Sequence, residues 1–120
     1  MTDRKDVGKE GEEVALQFLL GKGMMLMERN WRHNHLEVDL IMLGGDGVHI
    51  VEVKSRTAPV LVAPERNVTF KKRRFLINAA SAFISKHGID TDTHFDIVSV
   101  ILSGDVREVE YIPDAFTVFD

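Results

Sequence analysis

Cysteine is absent from all 120 residues, which removes disulfides, thiolate metal sites and a cysteine nucleophile together and agrees with a reducing compartment. Any metal must then sit on carboxylates or histidines. No apolar run approaches the length needed to cross a bilayer, and the polar start "MTDRKDVGKEGEE" lacks the apolar segment of a secretory signal. The expectation is a cytoplasmic protein with no membrane partner. Repeats, low-complexity tracts and an interdomain linker are also missing, and the length suits one domain over 1–120. The net charge of -4 argues mildly against non-specific polyanion binding, although a local basic patch stays open. With 44% hydrophobic and 28% charged residues, the chain is neither disordered nor fibrous.

What is present reads as alternating elements. Apolar residues from Glu10 to Gly21 recur at helical spacing, and Gly21 and Gly23 stop the run. "MMLMERNW", "HLEVDLIML" and "VHIVEVKS" read as three strands, with "GGDG" as a four-residue hairpin loop between the last two. "RTAPVLVAPERNV" reads as a long mobile loop. Thr69 is placed to cap a second helix through "FKKRRFLINAASAFISKH", and Gly88 to end it. "THFDIVSVIL" and "VREVEYI" follow as strands. The order αβββαββ describes an α/β fold, a mixed sheet flanked by helices, with a right-handed crossover between strands three and four.

Side chains alternate along a strand, so Glu37 and Asp39 share one face of strand two, and Glu52 and Lys54 one face of strand three. If Leu43 lies opposite Val48, Asp39 faces Glu52 and Glu37 faces Lys54. Two opposed carboxylates with Cβ atoms about 5 Å apart repel by roughly 3 kcal/mol at an effective dielectric near 20. A divalent cation such as Mg²⁺ would relieve that repulsion, since hard ions take oxygen ligands. The plainer alternatives are a Glu52–Lys54 pair along the strand, or one acid holding a proton. Glu12 lies on the stripe of the first helix that faces the core, so it points toward the same sheet.

"GKEGEEVALQFLLGKGMMLMERNWR", "LEVDLI", "VHIVEVKSR", "VTFKKRRFLINAASAFI" and "HFDIVSV" resemble, in order, the segments of the YraN-like bacterial proteins. Those proteins resemble in turn the archaeal Holliday junction resolvases and the PD-(D/E)XK nucleases, which have a restriction-endonuclease-like fold. The resemblance implies a metal-dependent phosphodiesterase in which Asp39 is the first acid and Glu52, Val53 and Lys54 form the E-x-K tripeptide. Glu12 matches the acid on the first helix. Asp39, Glu52 and the Val53 carbonyl would hold Mg²⁺ or Mn²⁺, Lys54 would orient the attacking water, and Glu12 would hold a second ion or a water. Two positions depart from the family pattern: Leu36 stands where Gly is usual, and His94 where Arg is usual. The site acids are intact, so these departures bear on substrate contacts rather than on metal binding.

A nucleic-acid substrate, DNA by this resemblance, needs a cationic approach. Lys71, Lys72, Arg73 and Arg74 crowd the first turn of the second helix, where the dipole disfavours cations and a phosphate would be welcome. Arg56, Arg66, Arg29 and Arg32 would extend the patch. A resolvase activity would further predict a twofold homodimer. The rival reading is a nucleic-acid-binding or partner-binding module that keeps the fold without turnover. His33, His35, Glu37 and Asp39 alternate on one possible strand face, which makes a Zn²⁺ site there conceivable. Trp31 could stack a base or fill the core.

Overall fold

The computed structural model describes residues 4–57 and 68–119. The elements are α1 (Arg4–Gly21), β1 (Met25–His33), β2 (Leu36–Gly44), β3 (Gly47–Thr57), α2 (Phe70–His87), β4 (Thr93–Ser103) and β5 (Val106–Phe116). This is the αβββαββ order read from the sequence. Ten residues of the expected long loop, 58–67, lie outside the described residues, and Arg66 with them.

The five strands form one sheet in chain order, β1-β2-β3-β4-β5. Only β3 and β4 run parallel, because α2 carries the chain back across the sheet between them; the other pairs are antiparallel. One face packs on α2 through Ile50, Leu76, Ala79, Phe83, Phe95 and Ile97. The other packs on α1 through Ala15, Leu16, Leu19, Leu40, Val51 and Val98. Central strands β3 and β4 are covered on both faces, and this explains their nearly continuous Val and Ile runs.

The β2–β3 register is the one expected, with Leu43 opposite Val48 and Leu40 opposite Val51. The turn is tighter than expected: Gly44 pairs with Gly47, leaving the two-residue loop Gly45–Asp46. Gly47 has φ +129°, and a Cβ there would meet the Asp92 carbonyl oxygen at 2.2 Å. Only glycine permits both that backbone and the adjacent bond from Val48 N–H to Asp92 O, 2.9 Å long.

Both helices are longer or better fixed than propensity alone provides. Helix α1 begins six residues before Glu10, and Val7 packs on the same apolar cluster as Val14; the surrounding charges and Gly8 hid that stretch in the sequence. Helix α2 has the caps expected of it. The Thr69 side chain accepts from Lys72 N–H at 3.2 Å, and Gly88 closes the other end in the left-handed region at φ 60°. Strand β5 runs on past Ile112 to Phe116, whose ring stacks on Phe95 at 5.0 Å. Pro113 is tolerated there because β5 is an edge strand.

Helix α1 crosses β3 very closely at Gly11. A Cβ at that position would lie 1.8 Å from Ser55 Oγ and 2.7 Å from Ser55 Cβ. Gly11→Ala should therefore destabilise the protein by about 1–3 kcal/mol through overpacking, although alanine is the better helix former by about 1 kcal/mol. Urea denaturation checks this, and Ser55→Gly in the same chain should recover most of the loss. A Gly11→Ala protein more stable than wild type would contradict the close crossing.

Candidate metal-binding active site

Asp39 and Glu52 arise one step beyond the last paired residues of the β2–β3 hairpin, Leu40 and Val51. At that point the ladder is replaced by a side chain: Val53 N–H donates to Asp39 Oδ2 at 2.8 Å. Asp39 thereby takes a strand hydrogen bond that a backbone carbonyl would otherwise receive. Its carboxyl is also hydrogen-bonded to Glu52. Glu52 is only 8% exposed. The opposition of the two acids predicted from the hairpin count is thus what the fold produces.

Burial first, and then the neighbouring Glu52 charge, push the Asp39 carboxyl up to about 8. In the metal-free protein a proton therefore sits where a cation would fit, which is one of the two plainer alternatives. The other does not hold. Glu52 pairs with Lys72 of α2, Nζ to Oε2 3.4 Å, and Glu37 with Arg32, 3.7 Å, rather than either with Lys54. The Lys54 side chain leaves β3 on the same side as Glu52 and has no hydrogen bond or ion pair among the described residues, although its backbone pairs with β4. Sequence reading missed the Lys72 contact because it depends on how α2 docks. The Thr69 cap was the one local signal, since it fixes the backbone of Lys72.

A cleft of about 560 Å³ opens beside the pair, lined by Val7, Gly8, Glu12, Asp39, Glu52, Val53, Ser55, Arg56 and Thr57. Glu12 is thus brought to the site by the close crossing at Gly11. Burial raises its carboxyl, opposed by a hydrogen bond from Asn30 and by Arg29, while Glu37 and Glu52 add to the rise. Asn30 is held in the left-handed region, φ 52°, a conformation that asparagine tolerates better than most residues. Nothing in the sequence marked it. The carboxylates of Glu12, Asp39 and Glu52 do not all come within 4.8 Å of one another, so Glu12 stands off from the pair. Lys54 does not line the cleft.

The basic run of α2 does not act as one patch. Lys72 turns to Glu52, and Arg73 lies over the Phe70 ring at 5.8 Å with its Nε buried and unpartnered. Lys71 and Arg74 are exposed. Arg56 joins the cleft itself, Arg29 pairs with Glu13 at 3.3 Å, and Arg32 is taken by Glu37. The conceivable zinc group on strand two does not assemble among the described residues. His33 ends β1 stacked on Trp31, 5.8 Å between centroids, and His35 falls in the turn. Trp31 packs edge-on against Phe83 at 5.3 Å and belongs to the α2 core layer.

The donor set suits a hard divalent ion: two carboxylate oxygens side by side, a strand carbonyl at Val53 and open cleft volume for waters. The raised Asp39 carboxyl also dictates a pH dependence. The folded protein keeps a proton that the unfolded chain releases near 3.8. Without metal, this group's contribution should fall as pH rises from about 4 to about 8, then level off. Asp39→Asn removes that titration while keeping an acceptor for Val53 N–H. In chelator at pH 8 the variant should be more stable than wild type by about 1–3 kcal/mol, with the gap closing toward pH 4. Denaturation curves across pH measure this; a variant less stable than wild type at pH 8 would show that the acid pair carries no strain.

A family model described as "Uncharacterised protein family UPF0102" matches residues 11–100, a span that holds Glu12, Asp39, Glu52, Lys54 and Lys72. A UPF0102 protein of Porphyromonas gingivalis is 36% identical over 118 residues, covering 97% of this chain and 87% of that one. One of Parabacteroides distasonis is 36% identical over 116 residues, at 97% and 96% coverage. Another, of Nitratidesulfovibrio vulgaris, is 40% identical over 114 residues, at 94% and 85%. The chain belongs to the UPF0102 family, the YraN-like proteins that its acid, glycine and helix motifs resemble.

Proposed function

We propose that the protein is a divalent-metal-dependent nuclease that hydrolyses phosphodiester bonds in nucleic acid, DNA in the first instance. The observation that carries this reading is the buried Asp39–Glu52 pair, held in contact at the mouth of a cleft and flanked by Lys72. Asp39, Glu52 and the Val53 carbonyl would hold Mg²⁺ or Mn²⁺. The ion, when bound, polarises the phosphodiester and activates water for attack. The remaining work falls to the chain's own side chains. Val53 N–H fixes the Asp39 carboxylate in one orientation. Lys72 holds the Glu52 carboxylate in place. Lys54, with no side-chain partner of its own among the described residues, orients the attacking water and offsets charge on the phosphorane. Arg56, and the exposed Lys71 and Arg74, steer the backbone toward the cleft. Positioning and electrostatics supply most of the rate, so few residues suffice.

Binding without turnover is the second reading. That Lys54, the lysine of the E-x-K tripeptide, does not line the cleft favours it. Labelled single-stranded, duplex, flap and four-way DNA, incubated with Mg²⁺ or Mn²⁺, separates the two. Wild type should cut at least one member of the panel. Asp39→Ala should lower the rate by about 10²–10³-fold or more, and Lys54→Ala by a similar factor. A protein that retains the DNA but leaves it intact, or that cuts equally well after Asp39→Ala, would establish the binding module instead.

A further inference from the structure

A second cluster of ligand-type side chains lies at the turn end of the β2–β3 hairpin: Asp46 comes seven residues after Asp39, His49 three before Glu52, and His94 lies on β4. His49 and His94 are register partners in the parallel β3–β4 pair. Their rings stack 4.6 Å apart at 16°. Each ring is oriented by a carboxylate at Nδ1: Asp96 Oδ2 lies 2.6 Å from His49, and Asp114 Oδ1 2.7 Å from His94. Both Nε2 atoms then face Asp46 of the hairpin turn, His49 at 2.7 Å from Oδ1, and His94 at 3.1 Å from the backbone carbonyl oxygen and 3.5 Å from Oδ2. One ligand atom from each of the three residues lies within 4.8 Å of the other two.

The support beneath His49 is buried, whereas Asp114 beside His94 is exposed. Asp96 is 1% exposed and His49 3%. Asp96 also accepts from Tyr111 OH at 2.6 Å and from the Asp114 backbone N–H at 2.9 Å. Asp114 takes a left-handed conformation, φ 47°, which turns that N–H to Asp96 while its side chain reaches His94. Histidines that ligate metals characteristically donate the other ring N–H to a carboxylate, which fixes the tautomer and aims the free nitrogen. Here two rings are aimed in that way at one exposed carboxylate.

We propose that Asp46, His49 and His94 form a second metal site, specific for a borderline transition ion such as Zn²⁺, that ties the β2–β3 turn to the start of β4. Two imidazoles and one carboxylate suit Zn²⁺ over Mg²⁺. Ligand atoms about 3.3 Å apart are needed around a tetrahedral ion with bonds of about 2.0–2.1 Å. Asp46 is 63% exposed on a two-residue turn, so its carboxylate can move outward to admit the ion. The fourth position is left to water. The site is independent of the Asp39–Glu52 pair, and its ligands differ in kind.

The test is a titration with Co²⁺ as visible probe, followed by displacement with Zn²⁺, in the Asp39→Asn, Glu52→Gln background so that the acid pair contributes nothing. One equivalent should give the absorption of a four- or five-coordinate ion and raise the melting temperature. His94→Gln and Asp46→Ala, each checked for fold by circular dichroism, should abolish the signal. Asp114→Asn should weaken binding about 10–100-fold. Asp46→Ala alters an exposed turn, so it keeps the experiment informative should His94→Gln fold poorly. Absence of stoichiometric binding, or a signal unchanged in both ligand variants, would overturn the site.

Discussion

Two acids are forced into contact by a hairpin that neither can alter. Once Gly45–Asp46 closes the turn and Leu43 meets Val48, the period of two along each strand leaves Asp39 beside Glu52, whatever their charges. Separating them would shift the register by one residue and expose Leu40, Met42 and Val51, all buried, to solvent. The repulsion is therefore locked in by hydrophobic burial. It is relieved locally, by the proton that Asp39 holds without metal and by the Lys72 ammonium beside Glu52.

The surrounding structure serves that junction. Glycine at position 11 lets α1 lie against Ser55, and this close crossing carries Glu12 to the cleft. Thr69 fixes the start of α2 and so the root of Lys72. The Val53 amide, freed from the ladder, holds Asp39 in one orientation. A strained arrangement of like charges persists because packing elsewhere over-determines it, and such arrangements concentrate where function needs them.

Much of this was legible in the sequence because it is local. Helix α2 and both its caps follow from Thr69, the apolar stripe and Gly88, and the Asp39–Glu52 opposition from counting residues across a short turn. The family resemblance pointed to the same acids and is carried by the match over residues 11–100. Docking was not legible. That Lys72 rather than Lys54 meets Glu52 depends on where α2 settles on the sheet, and a run of four basic residues gives no hint that one faces inward. The meeting of His49 with His94 needs the parallel register across a crossover, for which no turn supplies a count. Asn30 was hidden for a related reason: its left-handed backbone follows a break in register between Leu26 and Glu28, where period two fails.

The central claim is that Asp39 and Glu52 form a cation site whose charge is balanced by a proton when no metal is bound. Carboxyl ¹³C NMR of Asp39 tests it directly, as a pH titration run with and without saturating Mg²⁺. Asp39 should titrate near 8 in chelator and shift to a markedly lower pH when Mg²⁺ is present, because the ion competes with the proton for the same oxygens. A carboxyl that titrates in the ordinary aspartate range in chelator, and is unmoved by Mg²⁺, would contradict both the strain and the site.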